Sequence, residues 1–379
     1  MNRREFLMGT AAFAAAGCVT DDTRKPAVDA VTSATPVAMW KPRKGAKKVR
    51  VVQWGMRHEH ASGKFKSLKT LPDDFELVGI VDDRSSKTAT TVKNFKLYDG
   101  VPLISEERLF SDKSIDAVFV EVANDDLVGI GMKCARHGLP MHFDKPCGQT
   151  YQPFADMVEI CRSRRLPLQL GYMFRVNPAI RFIQKAVKDG WLGEIVSIEA
   201  DMNHNYGDSE YPYYIGTFKG GLVYNLCCHL VDFILPMMPG LPTRAHPVLL
   251  TAPGDPEGPK TNCVVVLEWP HATATIRSCS QAAGQKRWLR VSGTKGSIDL
   301  MPIERFDGKP TLLEMRLAQD VPGYKKGGHT VNCGIQKDRY AEQLKELADI
   351  VRGRIPNPDL YDHDLAVHKV TLMACGIEC

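Results

Sequence analysis

The sequence predicts an α/β protein, in which a doubly wound parallel sheet is followed by an α+β domain with an open, mainly antiparallel sheet. From Lys48 onward, short β-rich runs alternate with segments long enough for one helix, as in a parallel sheet with crossover helices. After about Gly171, the strand-like runs alternate apolar and polar residues, as half-buried antiparallel strands do. The 379 residues, 44% hydrophobic and 25% charged, are enough for about two or three domains of a soluble enzyme.

The N-terminal segment, residues 1–47, is interpreted as an export signal and a flexible linker. Arg3 and Arg4 precede a short apolar run, residues 7–16, which is too short to span a bilayer as a helix. Paired arginines before such a run resemble a twin-arginine signal. The residues before Cys18 resemble a lipoprotein processing site, and the alternative is an incidental cysteine in a cleaved leader. We therefore expect a periplasmic protein or a lipoprotein tethered to the membrane through Cys18.

Charge and cysteine usage argue against two other classes of protein. The formal net charge of +5 is small for this length, and no nucleic-acid-binding motif accompanies it, so we expect no nucleic-acid partner. The 11 cysteines are scattered, and no pair has the C-x-x-C spacing of a zinc or redox site. We therefore assign no metal and expect buried free thiols.

The first two predicted strands flank a turn typical of a dinucleotide site. Residues 49–55 form a β-rich run that ends in Gly55, and residues 75–82 form a second run that ends in Asp82. The segment between them has room for one helix. In this Rossmann plan the helix N-terminus receives the pyrophosphate, and the acid at the end of the second strand bonds the ribose hydroxyls.

The turn departs from the G-x-G-x-x-G fingerprint, because it keeps the first glycine alone. Met56, Arg57 and His58 follow it, and such bulky residues hinder the close approach of the backbone to a pyrophosphate. Arg57 or His58 would have to contact phosphate with its own side chain. Asp82 favours NAD over NADP, although the nearby Arg84 leaves NADP open.

An Asp-Lys-Pro sequence lies where the fourth predicted strand ends. Residues 115–122 and 138–143 read as the third and fourth strands, and Asp144, Lys145 and Pro146 follow directly. Ligands bind at this carboxyl edge in doubly wound folds. The proline fixes the direction of the chain, and the neighbouring carboxylate holds the charge of the lysine. The structural alternative is a surface turn, which favours the same residue types.

The parallel-sheet domain is predicted to span residues 48–170, and the α+β domain residues 171–379. A last helix and strand, ending near residue 172, close the first domain. In the second domain a helix is followed by five predicted strands, at residues 196–202, 262–269, 272–280, 287–292 and 297–301. Two C-terminal helices, near residues 338–352 and 364–379, are expected to return to the first domain. The open sheet would be free for contact with another subunit.

Five stretches, taken in order, resemble the glucose-fructose oxidoreductase, inositol dehydrogenase and MocA (Gfo/Idh/MocA) family of NAD(P)-dependent oxidoreductases. The resemblance runs from about Lys48 to the C-terminus, and the run at residues 293–297 supports it. The five stretches are the strand ending at Asp82, residues 115–122 followed by Asn124, Asp144-Lys145-Pro146 in place of the family's Glu-Lys-Pro, residues 171–178, and residues 220–232.

The resemblance implies roles for two residues in particular. Lys145 would bond the substrate hydroxyl and the cofactor region, and His229 would be the general base. Four residues before the histidine most members carry an aspartate, and this chain has Asn225. The spacing places Asn225 and His229 on one helical face, but an amide stabilises an imidazolium less than a carboxylate does, so His229 should be a weaker proton acceptor. Asp232 is expected either to compensate in part or to be a structural acid.

The predicted site residues divide into three groups. Arg175 is expected either to clamp a polar ligand or to form a structural salt bridge. The predicted cofactor-binding residues are Gly55, Met56, Arg57, His58, Asp82, Asn124, Asp144 and Lys145. The predicted substrate-binding residues are Tyr172, Arg175, His204 and Asp232, and the predicted catalytic residues are Lys145, Asn225 and His229.

Three functions remain open from the sequence. The first is a sugar or polyol oxidoreductase that passes hydride between a carbohydrate carbon and a nicotinamide. The second is a glycoside-cleaving enzyme that uses NAD in a transient oxidation followed by elimination. The third is a ligand-binding member without turnover, which the degenerate glycine turn and Asn225 suggest. An exported enzyme meets no pool of free nicotinamide, so the cofactor is expected to be tightly bound.

Overall fold

The structure, a computed structural model, describes residues 38–83, 95–207, 210–284 and 287–378. The predicted export signal, the lipidation site at Cys18 and Arg84 lie outside the described residues. No helix in these four ranges is long and apolar enough to cross a membrane. Contacts join the described chain into one unit from Ala38 onward.

Strands and helices alternate in the N-terminal half of the described chain. The strands are β1 (Val49–Trp54), β2 (Phe75–Val81), β3 (Leu103–Ile104), β4 (Ala117–Val120), β5 (Met141–Phe143) and β6 (Leu168–Leu170). The helices are α1 (Ala61–Lys69), α2 (Glu106–Ser111), α3 (Asn124–His137) and α4 (Tyr151–Arg164). In the described residues the strands pair in parallel in the order β3-β2-β1-β4-β5-β6. Because all six run the same way, the residues after β1, β2, β4 and β5 meet at one edge.

Burial explains why these short runs form a parallel sheet. Every residue of β4, β5 and β6 is buried, as expected for strands that helices cover on both faces. Helix α3 ends where Gly138 adopts a φ of 74°, a left-handed conformation that glycine takes without a steric penalty. The chain then turns directly into β5, which carries Lys145 to the carboxyl edge.

The second half of the described chain is built around a second sheet. Its strands are β7 (Ile195–Asp201), β8 (Arg244–Leu250), β9 (Asn262–Glu268), β10 (Thr273–Cys279), β11 (Trp288–Gly293), β12 (Gly296–Leu300), β13 (Leu312–Leu317) and β14 (Gly327–Asn332). Its helices are α5 (Pro178–Lys188), α6 (Tyr211–Ile215), α7 (Cys228–Ile234), α8 (Ala341–Val351) and α9 (Tyr361–Ala374). The strand order is β14-β13-β12-β11-β7-β10-β9-β8. In the described part of this second sheet, β7 and β10 pair in parallel and the other neighbouring strands pair antiparallel.

The second sheet is half-buried, and the predicted fold class is confirmed. Strands β9, β10 and β13 alternate buried and more exposed residues, so one face packs on the core. Strands β8, β13 and β14 of this sheet were not predicted from the sequence. Strand β8 contains Pro247 and runs along the sheet edge, and proline is tolerated there because an edge strand can leave an amide unpaired.

The C-terminal helices contact the residues that form and precede the last strand of the first sheet. Gln343 of α8 donates from Nε2 to the carbonyl of Leu170 at 2.8 Å. Tyr361 of α9 donates its hydroxyl hydrogen to the carbonyl of Leu166 at 2.7 Å. The first bond places α8 against β6, and the second places α9 against the residues that precede β6. The domain boundary after residue 170 stays a prediction.

Candidate active site

The turn after β1 is shaped by one glycine and by an acid that follows β2. Gly55 has a φ of 92°, and a Cβ there would lie 2.6 Å from the side chain of Val122, so a larger residue would strain the turn. The amide of Met56 donates to Asp83 Oδ1 at 2.9 Å, and Arg57 Nε donates to the Asp83 carbonyl at 3.0 Å. Asp83 therefore holds the turn.

Two buried polar atoms at this edge lack a partner among the described residues, and both suit a dinucleotide. Burial raises the pKa of Asp83, and its Oδ2 is unpaired. Asn124, directly at the start of α3, accepts from the Tyr214 hydroxyl at 2.9 Å, while its Nδ2 is unpaired. Asp83 and Asn124 follow the two strands that flank β1, where Rossmann folds bind the ribose and pyrophosphate. The residues at this edge therefore fit a nicotinamide dinucleotide. The role predicted for Asp82 stays a prediction.

A buried group of charged residues lies beneath the turn, and we call it the Lys64 cluster. Lys64 Nζ donates to Asp144 Oδ2 at 2.7 Å and to Glu121 Oε1 at 3.0 Å. Asp144 Oδ2 also lies 2.9 Å from His58 Nδ1 and 3.2 Å from His60 Nδ1. The five residues come from α1, from the turn before it, and from the residues that follow β4 and β5.

Burial and pairing set the charges in the Lys64 cluster. Burial opposes ionisation of Asp144, but His58 and Lys64 outweigh it and hold the pKa of that carboxyl well below its usual range. Burial raises the pKa of Glu121 well above its usual range, against the attraction of Lys64. Burial also lowers the pKa of His60 to about 3, so its imidazole is neutral at pH 7. One ammonium and one carboxylate thus form the central ion pair.

The same cluster satisfies part of the geometry of a metal site. One nitrogen from each of His58 and His60 and one oxygen of Asp144 lie within 4.8 Å of one another. The ammonium of Lys64 already supplies a cation 2.7 Å from the same carboxylate. The sequence prediction of no metal stays a prediction.

Lys145 is held by its backbone and directed toward the second half of the chain. Its amide donates to Asp144 Oδ1 at 2.7 Å, and His58 Nε2 lies 3.0 Å from its carbonyl oxygen. The side chain is buried, and Nζ donates to the Asn225 carbonyl at 2.6 Å. Burial lowers the pKa of Lys145. Its hydrogen-bond acceptor is thus a neutral carbonyl, which leaves the positive charge available to polarise an oxygen.

His229 is buried beside this lysine. Its ring packs edge-on against Tyr172 and Phe174, each with centroids 5.6 Å away. Its Nδ1 is buried and lacks a partner among the described residues. Burial, followed by the charge of Lys145, lowers the pKa of His229 well below its usual range. The histidine is therefore neutral at pH 7, and its predicted role as proton acceptor stays a prediction.

Asn225 contacts a tyrosine through its side-chain amide, and its predicted catalytic role stays a prediction. Residues Val223–Cys227 form a π-helical turn before α7, so the regular spacing expected between Asn225 and His229 is interrupted. The Asn225 amide donates from Nδ2 to the Tyr211 hydroxyl at 2.6 Å. Its carbonyl accepts from Lys145. The residue thus joins the lysine to helix α6.

Three stacked rings continue from Tyr211, and we call them the aromatic wall. Tyr206 and Tyr211 stack with centroids 3.7 Å apart, and His204 and Tyr206 stack at 4.7 Å. Arg287 NH2 lies 2.6 Å from His204 Nε2 and ends the row. Burial and the charge of Arg287 lower the pKa of His204 to about 3, so the ring accepts a hydrogen bond from the guanidinium. Among the wall residues, His204 was in the predicted substrate set.

The structure places two other predicted substrate residues in a separate ionic network, which we call the Arg175 cluster. Arg175 donates from Nε and NH2 to Asp232 at 2.9 and 2.6 Å, and from NH2 to Asp364 at 2.7 Å. His363 Nε2 lies 3.1 Å from Asp232 Oδ1. Tyr172 lies 5.0 Å from the guanidinium of Arg175 and so separates this cluster from His229. This geometry matches the salt-bridge alternative for Arg175. The substrate roles of these residues stay predictions.

Several residues of the site were not found from the sequence. Asp83, Lys64, Tyr211 and Arg287 lie outside every motif that was recognised, and Glu121 lies within the recognised run 115–122 but was not singled out. The adjacent Asp82 and Asp83 were a usable signal, because either acid could face the turn. A buried lysine in an otherwise ordinary helix gave no sequence signal, since its partners come from strands 57 and 80 positions away.

Two family models match the chain. The model described as "Oxidoreductase family, NAD-binding Rossmann fold" matches residues 54–172, and "GFO/IDH/MocA C-terminal domain" matches residues 180–299. Together the two matches cover more than half of the chain. The first match ends at residue 172 and the second begins at residue 180, close to the predicted boundary between the two domains.

Known proteins resemble the chain at low identity. Trans-1,2-dihydrobenzene-1,2-diol dehydrogenase of Macaca fuscata fuscata is 24% identical over 238 residues, 62% of this chain and 69% of that protein. The 2,7-anhydro-N-acetylneuraminate hydratase of Escherichia coli (strain K12) is 23% identical over 206 residues, 53% of this chain and 55% of that protein. An aldose-aldose oxidoreductase from Caulobacter crescentus, solved with glycerol, superposes with a TM-score of 0.69 at 19% identity, covering 87% of this chain and 98% of that chain. The structural likeness shows the fold.

Proposed function

Because the chain belongs to the Gfo/Idh/MocA family of oxidoreductases, we propose that it transfers hydride between a sugar, polyol or sugar derivative and a nicotinamide cofactor. The observation that carries this proposal is the position of Lys145. Its buried ammonium lies at the carboxyl edge of the first sheet and bonds a neutral carbonyl. A cation that no carboxylate neutralises directly lowers the energy of a developing alkoxide or carbonyl dipole.

Each residue of the candidate site has its own role in the proposed reaction. Lys145 polarises the reacting oxygen, and neutral His229 takes the hydroxyl proton as the carbon loses hydride. Asp83 and Asn124, with their unpaired atoms, would bind the ribose side of the dinucleotide, and Arg57 would place its charge near the phosphates. When bound, the nicotinamide accepts the hydride or returns it. NAD and NADP both remain candidates.

A second function, transient oxidation followed by elimination, has one specific support. The relative from Escherichia coli is a hydratase by name, and a hydratase adds or removes water without net redox change. The same residues suit this chemistry, because oxidation of one carbon acidifies its neighbour, and Lys145 would then stabilise the resulting enolate. The cofactor would end each cycle in its starting state.

The experiment uses the folded protein as isolated. Mass spectrometry of the small molecules released on unfolding identifies a retained NAD or NADP. A panel of sugars deuterated at each carbon is then added, with and without an external electron acceptor, and deuterium is followed on the nicotinamide. Net oxidation requires the acceptor, whereas transient oxidation proceeds without it. A panel that transfers no deuterium to a cofactor-loaded protein would contradict both functions and favour a ligand-binding role.

Lys145→Met is the sharpest variant for this proposal. We expect deuterium transfer to slow by about 10²- to 10⁴-fold, the range for groups that act directly on the reacting proton or oxygen. The exposed Lys219→Met is the matched control and should transfer at the wild-type rate. Nicotinamide content should be similar in both variants. If Lys145→Met transfers deuterium as fast as the control, Lys145 has no part in polarising the substrate.

Location and assembly are also proposals. We propose that the N-terminal segment directs twin-arginine export and that Cys18 tethers the mature protein. We further propose that copies associate through the open face of the second sheet. Fractionation of cells and the mass of the purified protein in solution test these two points.

A further inference from the structure

The far end of the aromatic wall carries an excess of positive charge. Arg287 pairs with Glu304 through NH1, and Arg339 pairs with the same carboxylate at 2.8 Å. Two guanidinium groups therefore share one carboxylate, and neither has another ion pair among the described residues. Glu304 and Arg287 are largely buried, with side chains 7% and 16% exposed. The two guanidinium groups and the carboxylate thus carry one left-over positive charge. This charge is partly shielded from solvent, so it interacts more strongly than it would in water.

A continuous row of contacts connects this left-over charge to Lys145. The hydrogen-bonded and stacked row from Lys145 runs through Asn225 and the aromatic wall to Arg287 without a break. Arg287 also contributes to the electrostatic environment of Lys145 and His229. The three half-buried rings are stacked face to face between the two cations, so a ligand that reaches from Lys145 to Arg287 would lie along their edges.

The guanidinium of Arg287 retains hydrogen-bond donors for a ligand. Arginine has five N–H donors in a planar fork, and the described contacts to His204 and Glu304 use two of them. Such a fork bonds a carboxylate with two parallel hydrogen bonds. The one left-over charge fits a monoanion better than a phosphate ester.

We propose that the substrate is an acidic sugar, a sugar ring with a carboxylate, which Arg287 binds while Lys145 meets the hydroxyl of the reacting carbon. The proposal rests on the proposed function for the identity of the reacting end. It adds the substrate class and makes Arg287 the residue that determines it. The aromatic wall sets the distance between the carboxylate and the reacting carbon.

The test is equilibrium binding, measured by calorimetry on the folded protein with its retained cofactor. D-glucuronate is compared with D-glucose, and D-galacturonate with D-galactose. Each pair differs at one carbon, which is a carboxylate in one sugar and an alcohol in the other. We expect the acid to bind about tenfold or more tightly than its neutral counterpart, because a hydrogen-bonded charge pair contributes about 1.5–3 kcal/mol.

Two variants change the excess charge in opposite directions. Arg287→Gln should abolish the preference for the acid and leave binding of the neutral sugar nearly unchanged. Glu304→Gln removes the shared carboxylate and should increase the preference. Arg290→Gln is the control, because Arg290 lies on β11 close to Arg287, is half-exposed, and pairs with Asp299. It should keep the wild-type preference.

Each result either supports the proposal or overturns it. Equal binding of acid and neutral sugars, an intact preference in Arg287→Gln, or tighter binding of D-glucose 6-phosphate than of D-glucuronate would overturn it. If Arg287→Gln does not fold, Glu304→Gln still decides the matter. The binding preference requires no turnover. An acid preference in a protein that never transfers deuterium would therefore contradict the proposed function and leave this inference intact.

Discussion

The Lys64 and Arg175 clusters have nearly the same construction. In each, a central carboxylate accepts from a buried cation, at 2.7 Å for Asp144 with Lys64 and 2.6 Å for Asp232 with Arg175. In each, a second buried acid shares that cation. Each also has a histidine at its rim, with a side chain 22% exposed. Composition and burial alone therefore do not distinguish a functional ionic network from a structural one.

What differs between the clusters is the part of the chain that each one holds in place. Asp144 also accepts the amide of Lys145, and His58 bonds the carbonyl of the same residue, so the Lys64 cluster positions Lys145. The Arg175 cluster joins the residues after β6 to helices α7 and α9. Its fork-shaped guanidinium suits this structural task, because it bonds both acids with fixed geometry.

The largest expected effect is on stability, when either buried cation is removed. Lys64→Met and Arg175→Met each leave two buried acids without their shared partner, so we expect each to lower the free energy of unfolding by about 3–5 kcal/mol. Lys64→Met should in addition slow deuterium transfer per folded molecule, and Arg175→Met should not. Denaturant titration measures the first effect, and single-turnover transfer below the unfolding transition measures the second.

The exposed Lys66→Met, on the same helix as Lys64, is the control, and its stability should change by less than about 0.5 kcal/mol. The comparison between the clusters fails if Arg175→Met slows transfer as much as Lys64→Met does. In that case the predicted substrate role of Arg175 would be supported.

The next effect is on the pH dependence of stability. Burial raises the pKa of Glu121 well above its usual range, and that of Asp364 less so. A raised folded pKa contributes stability that is fully present below the unfolded pKa, roughly 4.3 for glutamate, and is lost as the pH rises through the folded pKa. Glu121→Gln removes this loss. Relative to wild type, the variant should therefore gain stability between pH 5 and pH 8.

The gain is about 1.4 kcal/mol for each unit by which folding raises the pKa. Asp364→Asn should show the same sign with a smaller gain. Unfolding free energies at several pH values, measured by denaturant titration, give both slopes. A Glu121→Gln variant whose stability runs parallel to that of wild type across this range would show that Glu121 is ionised in the folded cluster.

The two clusters also show which parts of the molecule the sequence could predict. The fold class followed from local patterns, because strand alternation and glycine turns are written in neighbouring residues. Asp144 and Lys145 were found for the same reason, since one short sequence marks the end of a strand. Lys64 and Glu121 were missed, because nothing near either residue indicates that they meet across α1 and β4. For Arg175 and Asp232 the sequence left a substrate role and a structural role open, because it does not show that they bond each other, 57 positions apart.

Asn225 shows a different limit of the sequence. Its spacing from His229 predicted a shared face of a regular helix, whereas residues Val223–Cys227 form a π-helical turn. The extra residue of such a turn leaves no mark on apolar periodicity. The bond from Asn225 to the Tyr211 hydroxyl, made across 14 positions, was likewise not predicted.

The smallest expected effect separates the two rim histidines, His60 and His363. Both are equally exposed, and they lie 3.2 and 3.1 Å from the central carboxylates Asp144 and Asp232. Each histidine to glutamine change removes one hydrogen bond to a carboxylate that still accepts from its lysine or arginine. We therefore expect the free energy of unfolding to fall by about 1 kcal/mol or less in each variant. Only His60 lies on the turn between β1 and α1. His60→Gln should therefore change the amount of nicotinamide retained on purification, whereas His363→Gln should retain the wild-type amount. Equal retention by the two variants, at equal stability, would mean that the rim of the Lys64 cluster does not reach the dinucleotide, and the functional contrast would then rest on Lys145 alone.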